Sequence, residues 1–342
     1  MQYSILSLYF PFPDGAVFRR NGGGAPQTGP PARNRFTPPP AGVMVRSGGD
    51  TLWGSMRLIC LGLGYTARAF VRRHGGRFST IGATARDPDS ALNFNNLPVD
   101  VIPLWDGDAA LRRAAGEADV ILVSAGPDAS GDPFADRLRA CLTTPGRGKH
   151  VLYLSTVGVY GDHGGAWVDE ATPPRPASDR SRWRLDAEGK WLALAKPPDL
   201  AVQIFRLAGI YGPGRSAVDN LRSGTARRVV KPGQVFNRIH VDDIADVLMR
   251  ALERGRSGAV WNVADNEPAP PQDVVAFAAR CLGIEPPPEV SFETAGLSPM
   301  ARSFYGENKR ISNAALREKL GVRLNYPTYR EGIAAIAGSP PP

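Results

Sequence analysis

The stretch Met56–Phe70, MRLICLGLGYTARAF, predicts a buried strand followed by a glycine turn and a helix. The strand is the short apolar run Arg57–Leu61, whose length suits a strand that is buried on both faces. Gly62 then lets the chain turn sharply, and Gly64 lets the backbone come close to a ligand. Ala67 stands where a third glycine is frequent, and it still permits close packing of the helix on the strand. This order of elements is typical of a turn that binds a dinucleotide.

The start of the predicted helix supplies the chemistry for binding phosphate. Its first N–H groups have no partner within the helix, and the helix dipole adds partial positive charge there. We expect the pyrophosphate of a dinucleotide at this end, in contact with Gly62, Gly64, Tyr65 and Thr66. The plainer alternative is that these glycines only connect a strand to a helix and bind nothing.

Composition places the chain among ordinary globular proteins. Its 342 residues allow two domains or one large α/β domain, and 42% hydrophobic with 22% charged residues is a usual balance. Cys60, Cys141 and Cys281 are widely spaced, which argues against a disulfide framework or a structural zinc and for a reducing, cytoplasmic setting. No apolar run reaches the roughly 18 residues of a membrane-spanning helix. We therefore expect neither a membrane nor a metal as a partner.

The net charge of +8 is spread along the chain, whereas nucleic-acid binding favours a basic stripe. We therefore expect a small-molecule substrate and no nucleic acid. Residues 1–55 contain nine glycines and eight prolines, a composition that cannot build a core, so we expect a disordered extension. A transit peptide is one alternative, because the segment bears arginines and few acids. A true translation start at Met56 is another.

The second predicted strand, Thr80–Ala85, ends where the ribose of a dinucleotide is usually recognised. An NAD site usually has an acid at this tip, whereas Arg86 offers a guanidinium that could pair with a 2′-phosphate. This favours NADP over NAD. The alternative is that Arg86 is only a loop residue and Asp87 binds the ribose, which would favour NAD. Asp106 follows the third predicted strand, Val99–Leu104, and is placed to approach adenine; a plain turn acid is the alternative.

Short apolar strands continue to alternate with helices. Asp119–Gly126 predicts a fourth strand, and Val151–Ser155 predicts a fifth. The fourth strand runs into small residues that would let a cofactor pass, namely Ser124, Ala125 and Gly126. This alternation predicts an α/β fold with a doubly wound, Rossmann-type parallel sheet that is covered by helices on both faces.

Four later segments resemble the motifs of one protein family, and they occur in the family's order: Tyr153–Gly161 (YLSTVGVYG), Val168–Pro173 (VDEATP), Phe205–Gly214 (FRLAGIYGPG) and Arg238–Ala245 (RIHVDDIA). They are similar to segments of the extended short-chain dehydrogenases/reductases, the NAD-dependent epimerase/dehydratase family. The resemblance implies a dinucleotide-binding core over residues 56–165 and a smaller C-terminal substrate-binding part over 166–335. The second part is interleaved with the last strands of the sheet, and a loose tail follows at 336–342.

By this resemblance Thr156 is at the position of the family's catalytic Ser/Thr and would hydrogen-bond a substrate carbonyl. The family's Tyr-x-x-x-Lys pair is replaced here. Counting back from Glu188, which anchors the register, gives Arg184 at the lysine position and Arg180 at the tyrosine position. The pKa of arginine is too high for proton transfer near neutral pH, but both side chains could hold ribose hydroxyls, a phosphate or a carboxylate. The pattern resembles the atypical, YeeZ-like subgroup, which lacks the same pair.

The resemblance also gives expectations for other polar residues. The proton donor would be Tyr160, Tyr211 or a water, although packing is the more ordinary role for both tyrosines. For His240 the resemblance implies a structural role in closing the substrate part onto the cofactor core. We expect Asp242 or Asp243 to cap the helix that follows.

These observations predict an NAD(P)-dependent oxidoreductase-like enzyme that acts on a small carbonyl compound or a nucleotide-linked sugar. The missing tyrosine and lysine leave two alternatives. One is an NADP(H)-binding sensor or scaffold without turnover, and the other is a sugar-nucleotide epimerase or dehydratase. A homodimer would follow the family.

Overall fold

The structure, a computed structural model, describes residues 53–338 except 88, 90–95, 145–147 and 197. All but the last three residues of the expected N-terminal extension, and the last four of the expected tail, lie outside the described residues. The described chain opens with a 3₁₀ turn at Trp53–Ser55, which leads directly into the first strand.

The described residues form thirteen strands, most of them short. In chain order they are β1 (Arg57–Leu61), β2 (Thr80–Ala85), β3 (Asp100–Pro103), β4 (Val120–Val123), β5 (Lys149–Thr156), β6 (Trp167–Val168), β7 (Leu200–Leu207), β8 (Gly209–Tyr211), β9 (Arg228–Val230), β10 (Arg238–His240), β11 (Val260–Val263), β12 (Glu289–Ser291) and β13 (Arg310–Ile311). Seven of them form one parallel sheet in the order β11-β7-β5-β4-β1-β2-β3, and the others pair two by two.

The order of strands reverses between β1 and β4, at the centre of the sheet. Cys60 of β1 lies beside Ala83 of β2 on one side and beside Leu122 of β4 on the other. The connections that leave β1 and β4 therefore diverge. They open a crevice outside the carboxyl ends of these strands, which is where doubly wound sheets bind their ligands.

Ten helices of the described chain cover the sheet and build the smaller part. They are α1 (Tyr65–His74), α2 (Ala109–Glu117), α3 (Ala135–Leu142), α4 (Asp179–Leu192), α5 (Ala217–Arg222), α6 (Val241–Arg254), α7 (Pro271–Cys281), α8 (Pro299–Phe304), α9 (Ala314–Glu318) and α10 (Tyr329–Ala337). Alternate side chains of β1 point to opposite faces of the sheet. Leu58 and Cys60 pack with α1 and α6, whereas Ile59 and Leu61 pack with α2, α3 and α4.

The smaller part has an apolar cluster of its own. Val218 of α5, Phe277 of α7 and Ile333 of α10 pack there around Tyr211 and Tyr329. The short pairs β8–β10, β9–β12 and β6–β13 connect segments that are distant in the chain. A boundary between the two parts at residues 165 and 166 stays a prediction.

The doubly wound parallel sheet that the sequence predicts is confirmed. β1 and β2 have the predicted bounds, while β5 is longer than predicted and reaches from Lys149 to Thr156. β4 is shorter than predicted, because it ends at Val123. The N–H groups of Ser124 and Ala125 both donate to the Leu61 carbonyl, at 3.0 and 2.9 Å. These bonds draw the chain after β4 toward the glycine turn that follows β1.

A buried ion pair joins α4 to the sheet. Arg206 of β7 donates to Glu188 of α4 through Nη2–Oε2 at 2.7 Å and Nε–Oε1 at 3.1 Å. Ser155 of β5 also donates its hydroxyl to Glu188. Arg206 is 5% exposed and Glu188 is 2% exposed, so each charge depends on the other for compensation. The pair therefore fixes α4, with Arg180 and Arg184, against the carboxyl ends of β5 and β7.

We expect Glu188→Gln to lower the free energy of unfolding by about 3–5 kcal/mol, because it leaves the Arg206 guanidinium buried without a counter-charge. The matched control is Glu117→Gln. It breaks the Arg57–Glu117 pair, whose side chains are 44% and 55% exposed, and should change the same quantity by less than about 1 kcal/mol. Urea denaturation followed by circular dichroism measures both. Equal losses in the two variants would contradict the interpretation.

Candidate cofactor site

The glycine turn after β1 has no room for a side chain at its first position. Gly62 has φ +85°, a conformation that residues with a Cβ rarely adopt. A Cβ built there would lie 3.0 Å from the backbone nitrogen of Ala125. The Gly62 N–H donates to the Thr84 hydroxyl at 2.7 Å, which ties the turn to β2. The turn is thus held between the ends of β2 and β4.

The second glycine leaves the start of α1 without a capping side chain. Gly64 is the N-cap residue, with φ −77° and ψ −171°, and no side chain caps the helix. The nearest atom to a Cβ built on Gly64 is the Ser124 hydroxyl oxygen at 3.8 Å. The first turn of α1 contains no acidic residue, and Thr66 is buried in it. An uncapped helix N terminus beside small residues has the chemistry of a phosphate site.

The small residues after β4 form the opposite wall of this crevice. Ser124 and Ala125 are half-buried, and Gly126 is exposed. Their backbone lies against the glycine turn through the two bonds to the Leu61 carbonyl. The structure therefore brings Gly62, Gly64, Ser124 and Ala125 together at the point where the sheet order reverses.

Arg86 and Asp106 lie farther out along the same edge of the sheet. Arg86 directly follows β2, Asp106 lies in the turn after β3, and both side chains are exposed. β2 and β3 are the strands beyond β1 on the side away from β4. That side of the switch point is where the adenosine half of a dinucleotide is recognised. Their contact with a cofactor stays a prediction.

Arg184 reaches the edge of the sheet from α4. Its Nη1 donates to the Leu154 carbonyl at 2.8 Å and to the Tyr153 hydroxyl at 3.3 Å, both on β5. Its Nη2 lies 2.9 Å from the position that a Cβ on Gly126 would occupy. The guanidinium therefore lies across the ends of β4 and β5, next to the small residues that follow β4.

The other two predicted catalytic residues are separate from this guanidinium. Thr156 ends β5, is half-buried, and accepts a hydrogen bond at Oγ1 from the Gly158 N–H at 3.1 Å. Arg180 is exposed, and its Nη1 lies 3.4 Å from the sulfur of Met300 on α8. A shared catalytic role for Arg180 and Thr156 stays a prediction.

The two candidate tyrosines are packed and hydrogen-bonded. Tyr160 is fully buried, and its hydroxyl donates to Asn262 Oδ1 at 2.8 Å. Tyr211 is 2% exposed, and its hydroxyl lies 3.5 Å from the Thr328 carbonyl. Burial raises the pKa of both phenols, which disfavours formation of a tyrosinate. These contacts agree with the packing role.

His240 itself caps the helix that follows it, so the expectation that Asp242 or Asp243 would do so is wrong. The imidazole Nδ1 of His240 accepts a hydrogen bond from the Asp242 N–H at 3.2 Å, at the start of α6. Asp243 instead accepts from the backbone N–H groups of Asn325 and Tyr326, at 2.6 and 3.1 Å. Asp243 thereby fastens the segment before α10 to α6. The preference of acids for helix caps does not predict this tertiary contact.

Two further contacts were not predicted. Thr84 positions the glycine turn, and the Tyr65 hydroxyl donates to the Pro213 carbonyl at 3.0 Å. The second contact joins α1 to the loop after β8. The sequence does show a threonine near the end of β2 and a tyrosine directly after the glycines. Neither residue type indicates which group it will bind.

The parallel sheet with an uncapped glycine turn at its switch point defines an α/β protein of the dinucleotide-binding class. The sequence profile of the NAD dependent epimerase/dehydratase family matches residues 135–264. This match to residues 135–264 and the similarity to the relatives below confirm the predicted resemblance to the family.

Three relatives show what else this chain is similar to. A structure of a functionally unknown conserved protein from Silicibacter pomeroyi is 45% identical with a TM-score of 0.75, and the match covers 83% of this chain and 99% of that one. Protein YeeZ of Escherichia coli (strain K12) is 28% identical over 235 residues, which are 67% of this chain and 75% of YeeZ. A 3-diazoavenalumate denitrifying reductase from Streptomyces sp is 29% identical over 180 residues, 49% of this chain and 55% of that protein.

None of the helices given above is both long enough and apolar enough to span a bilayer. Within the part of the chain that the structure describes, no group of three or more His, Cys, Asp or Glu side chains could hold a metal ion.

We expect Gly64→Ala to fold normally and to bind a dinucleotide at least about tenfold more weakly, a loss of ~1.4 kcal/mol. The backbone of Gly64 is extended and accepts any residue, but the new methyl group would occupy the space that a pyrophosphate needs. Gly76→Ala is the control, because a Cβ there has no atom within 4 Å. Fluorescence titration with NADPH and a thermal melt of each variant measure both effects. Unchanged affinity would contradict the assignment of the turn.

We expect the stability of the protein to fall as the pH is lowered from 6.5 toward 4, in part through His240. Burial lowers the pKa of His240 to about 4 from an ordinary value of 6.5, so the unfolded chain binds more protons in this window. His240→Asn keeps an acceptor at the cap and removes the titration. Its free energy of unfolding should therefore depend less on pH between 6.5 and 4, as measured by urea denaturation at several pH values. An unchanged slope would contradict this.

Proposed function

We propose that this protein is an NAD(P)-dependent oxidoreductase acting on a small carbonyl compound, with the cofactor bound in the crevice between β1 and β4. The observation that carries the proposal is the uncapped N terminus of α1, where Gly64 has no side chain and lies beside the small residue Ser124. The family's dependence on NAD and the reductase activity in the name of the Streptomyces relative support the same reaction class.

The residues of the crevice fit a dinucleotide, because they offer free N–H groups and lack side chains that would fill its place. Gly62, Gly64, Tyr65 and Thr66 would hold the pyrophosphate, and Ser124, Ala125 and Gly126 would line its path. When bound, the cofactor supplies a hydride to the substrate carbonyl. Arg86 would contact a 2′-phosphate and Asp106 the adenine, which favours NADP over NAD.

The chain's own residues would then orient the substrate and stabilise the developing alkoxide. Thr156 can donate its hydroxyl proton to the substrate carbonyl oxygen. In the structure the hydroxyl oxygen of Thr156 accepts from the Gly158 N–H, which leaves the proton available. Arg184 carries a permanent positive charge next to Gly126, where it can hold ribose hydroxyls or the substrate oxygen. Neither group is a proton source with a matched pKa, so we assign the final proton to water.

A cofactor-binding protein without turnover is the second candidate. Two features favour it. The resemblance puts arginines at the tyrosine and lysine positions, and Tyr160 and Tyr211 are buried with raised pKa values. A sugar-nucleotide epimerase is less well supported, because epimerisation also needs a proton-transfer residue that these positions do not supply.

The first test is a titration of the full chain with NADPH and NADH, followed by mixing the NADPH complex with a panel of aldehydes and ketones. We expect NADPH to bind more tightly than NADH, and its absorbance at 340 nm to decay with at least one carbonyl compound. Arg86→Ala should reduce the preference for NADPH without changing NADH affinity. Thr156→Ala should lower kcat at least about tenfold with little change in cofactor affinity, because it removes one hydrogen bond to the reacting oxygen.

The outcomes separate the candidates. Binding with oxidation of NADPH supports the oxidoreductase, and binding without oxidation across the whole panel supports the sensor or scaffold. The absence of any dinucleotide binding would overturn both.

A further inference from the structure

Arg215 is a buried cation whose hydrogen bonds are not all satisfied in the described structure. It lies in the loop between β8 and α5 and is 7% exposed. Its Nε and Nη2 are buried and have no hydrogen-bond partner among the residues that the structure describes. A guanidinium is almost always paired when it is buried, because desolvation without compensation is costly.

The acid nearest to Arg215 in the sequence is engaged elsewhere. Ser216 caps α5 by accepting from the Asp219 N–H at 3.2 Å, and its hydroxyl donates to Asp219 Oδ2 at 2.5 Å. Burial without a counter-charge lowers the pKa of Arg215 to about 10, which still leaves it charged near neutral pH. The side chain therefore keeps a positive charge in a place where the protein itself does not neutralise it.

The guanidinium lies over the ring of Tyr65, the residue that follows the glycine turn. Its Cζ is 5.6 Å from the centroid of the Tyr65 ring, and Tyr65 is the first residue of α1. The Tyr65 hydroxyl donates to the Pro213 carbonyl, and a Cβ on Gly212 would lie 2.5 Å from that hydroxyl. The absence of a side chain at Gly212 thus lets the loop close onto α1.

The loop that carries Arg215 is held in a fixed shape. The N–H of Gly212 donates to the Arg215 carbonyl at 3.1 Å, and the N–H of Arg215 donates back to the Gly212 carbonyl at 3.0 Å. A tight backbone ring therefore presents the side chain. Two independent features meet here, an uncapped N terminus of a ten-residue helix and a cation with two unpartnered nitrogens fixed above its first residue.

We propose that Arg215 binds a phosphate group at the N terminus of α1, reaching it from the loop after β8. The inference rests on the proposed function in one respect: the phosphate belongs to a ligand that binds in the same crevice. Two ligands carry such a group, the pyrophosphate of the dinucleotide and a phosphate of the substrate. Either one neutralises Arg215, joins the substrate part to the cofactor core, and adds bidentate hydrogen bonds to those of the helix N–H groups.

The test uses Arg215→Met in the full chain, because methionine is unbranched, apolar and uncharged. Arg113→Met is the matched control, since it removes an exposed arginine from α2. Each protein is titrated calorimetrically with NADPH, with NADH and with sodium pyrophosphate. The pyrophosphate titration is done twice, once with the ligand-free protein and once with protein saturated with NADPH. A thermal melt of each ligand-free protein is recorded alongside.

We expect Arg215→Met to weaken phosphate binding at least tenfold while the ligand-free protein melts at the same or a higher temperature, because the variant no longer buries an unpaired charge. Arg215→Lys should restore part of the affinity. If NADPH and NADH both bind more weakly and pyrophosphate competes with NADPH, the cofactor is the source of the phosphate. If cofactor affinity is unchanged and the NADPH-loaded variant loses pyrophosphate binding, the substrate is the source.

A variant that melts at a lower temperature and keeps every affinity would overturn the inference, because Arg215 would then be a packing residue. This result is distinct from failure of the proposed function. Wild-type protein that binds pyrophosphate but no dinucleotide would refute the proposed function. The pyrophosphate titrations of wild type and Arg215→Met would still show whether Arg215 binds phosphate.

Discussion

The close approach of Gly62 to the backbone that follows β4 is the constraint on which the rest of the candidate site depends. A Cβ at Gly62 would lie 3.0 Å from the nitrogen of Ala125, so only glycine allows the two segments to meet. The Leu61 carbonyl accepts from Ser124 and Ala125, which holds them together. Because the strand order reverses at this point, the crevice forms where no side chain caps the N terminus of α1.

The second constraint is the buried pair of Glu188 and Arg206. It holds α4, which carries Arg180 and Arg184, against the sheet. The positive charge of Arg184 is directed toward the end of β4, and a guanidinium suits binding and orientation better than proton transfer.

Local patterns predicted most of the cofactor core. Short apolar runs fixed β1 and β2 to the residue, because a buried parallel strand needs an apolar side chain on both faces. The cap of α6 was predicted at the wrong residue. Acids are frequent helix caps, but here the His240 ring, buried against Tyr211 and Tyr326, is in place to accept from the Asp242 N–H, while Asp243 binds a segment about 80 residues farther along the chain.

The sequence by itself determined the class of fold and the position of the glycine turn, because each of these is encoded in consecutive or regularly spaced residues. Only the tertiary structure decided that Tyr160 and Tyr211 are packed, that Tyr65 fastens the loop after β8, and that two nitrogens of Arg215 are buried without a hydrogen-bond partner. The physical reason is that burial and pairing depend on which segments meet in space. Tyr65 and Pro213 meet across 148 residues of chain, a separation at which no local pattern acts.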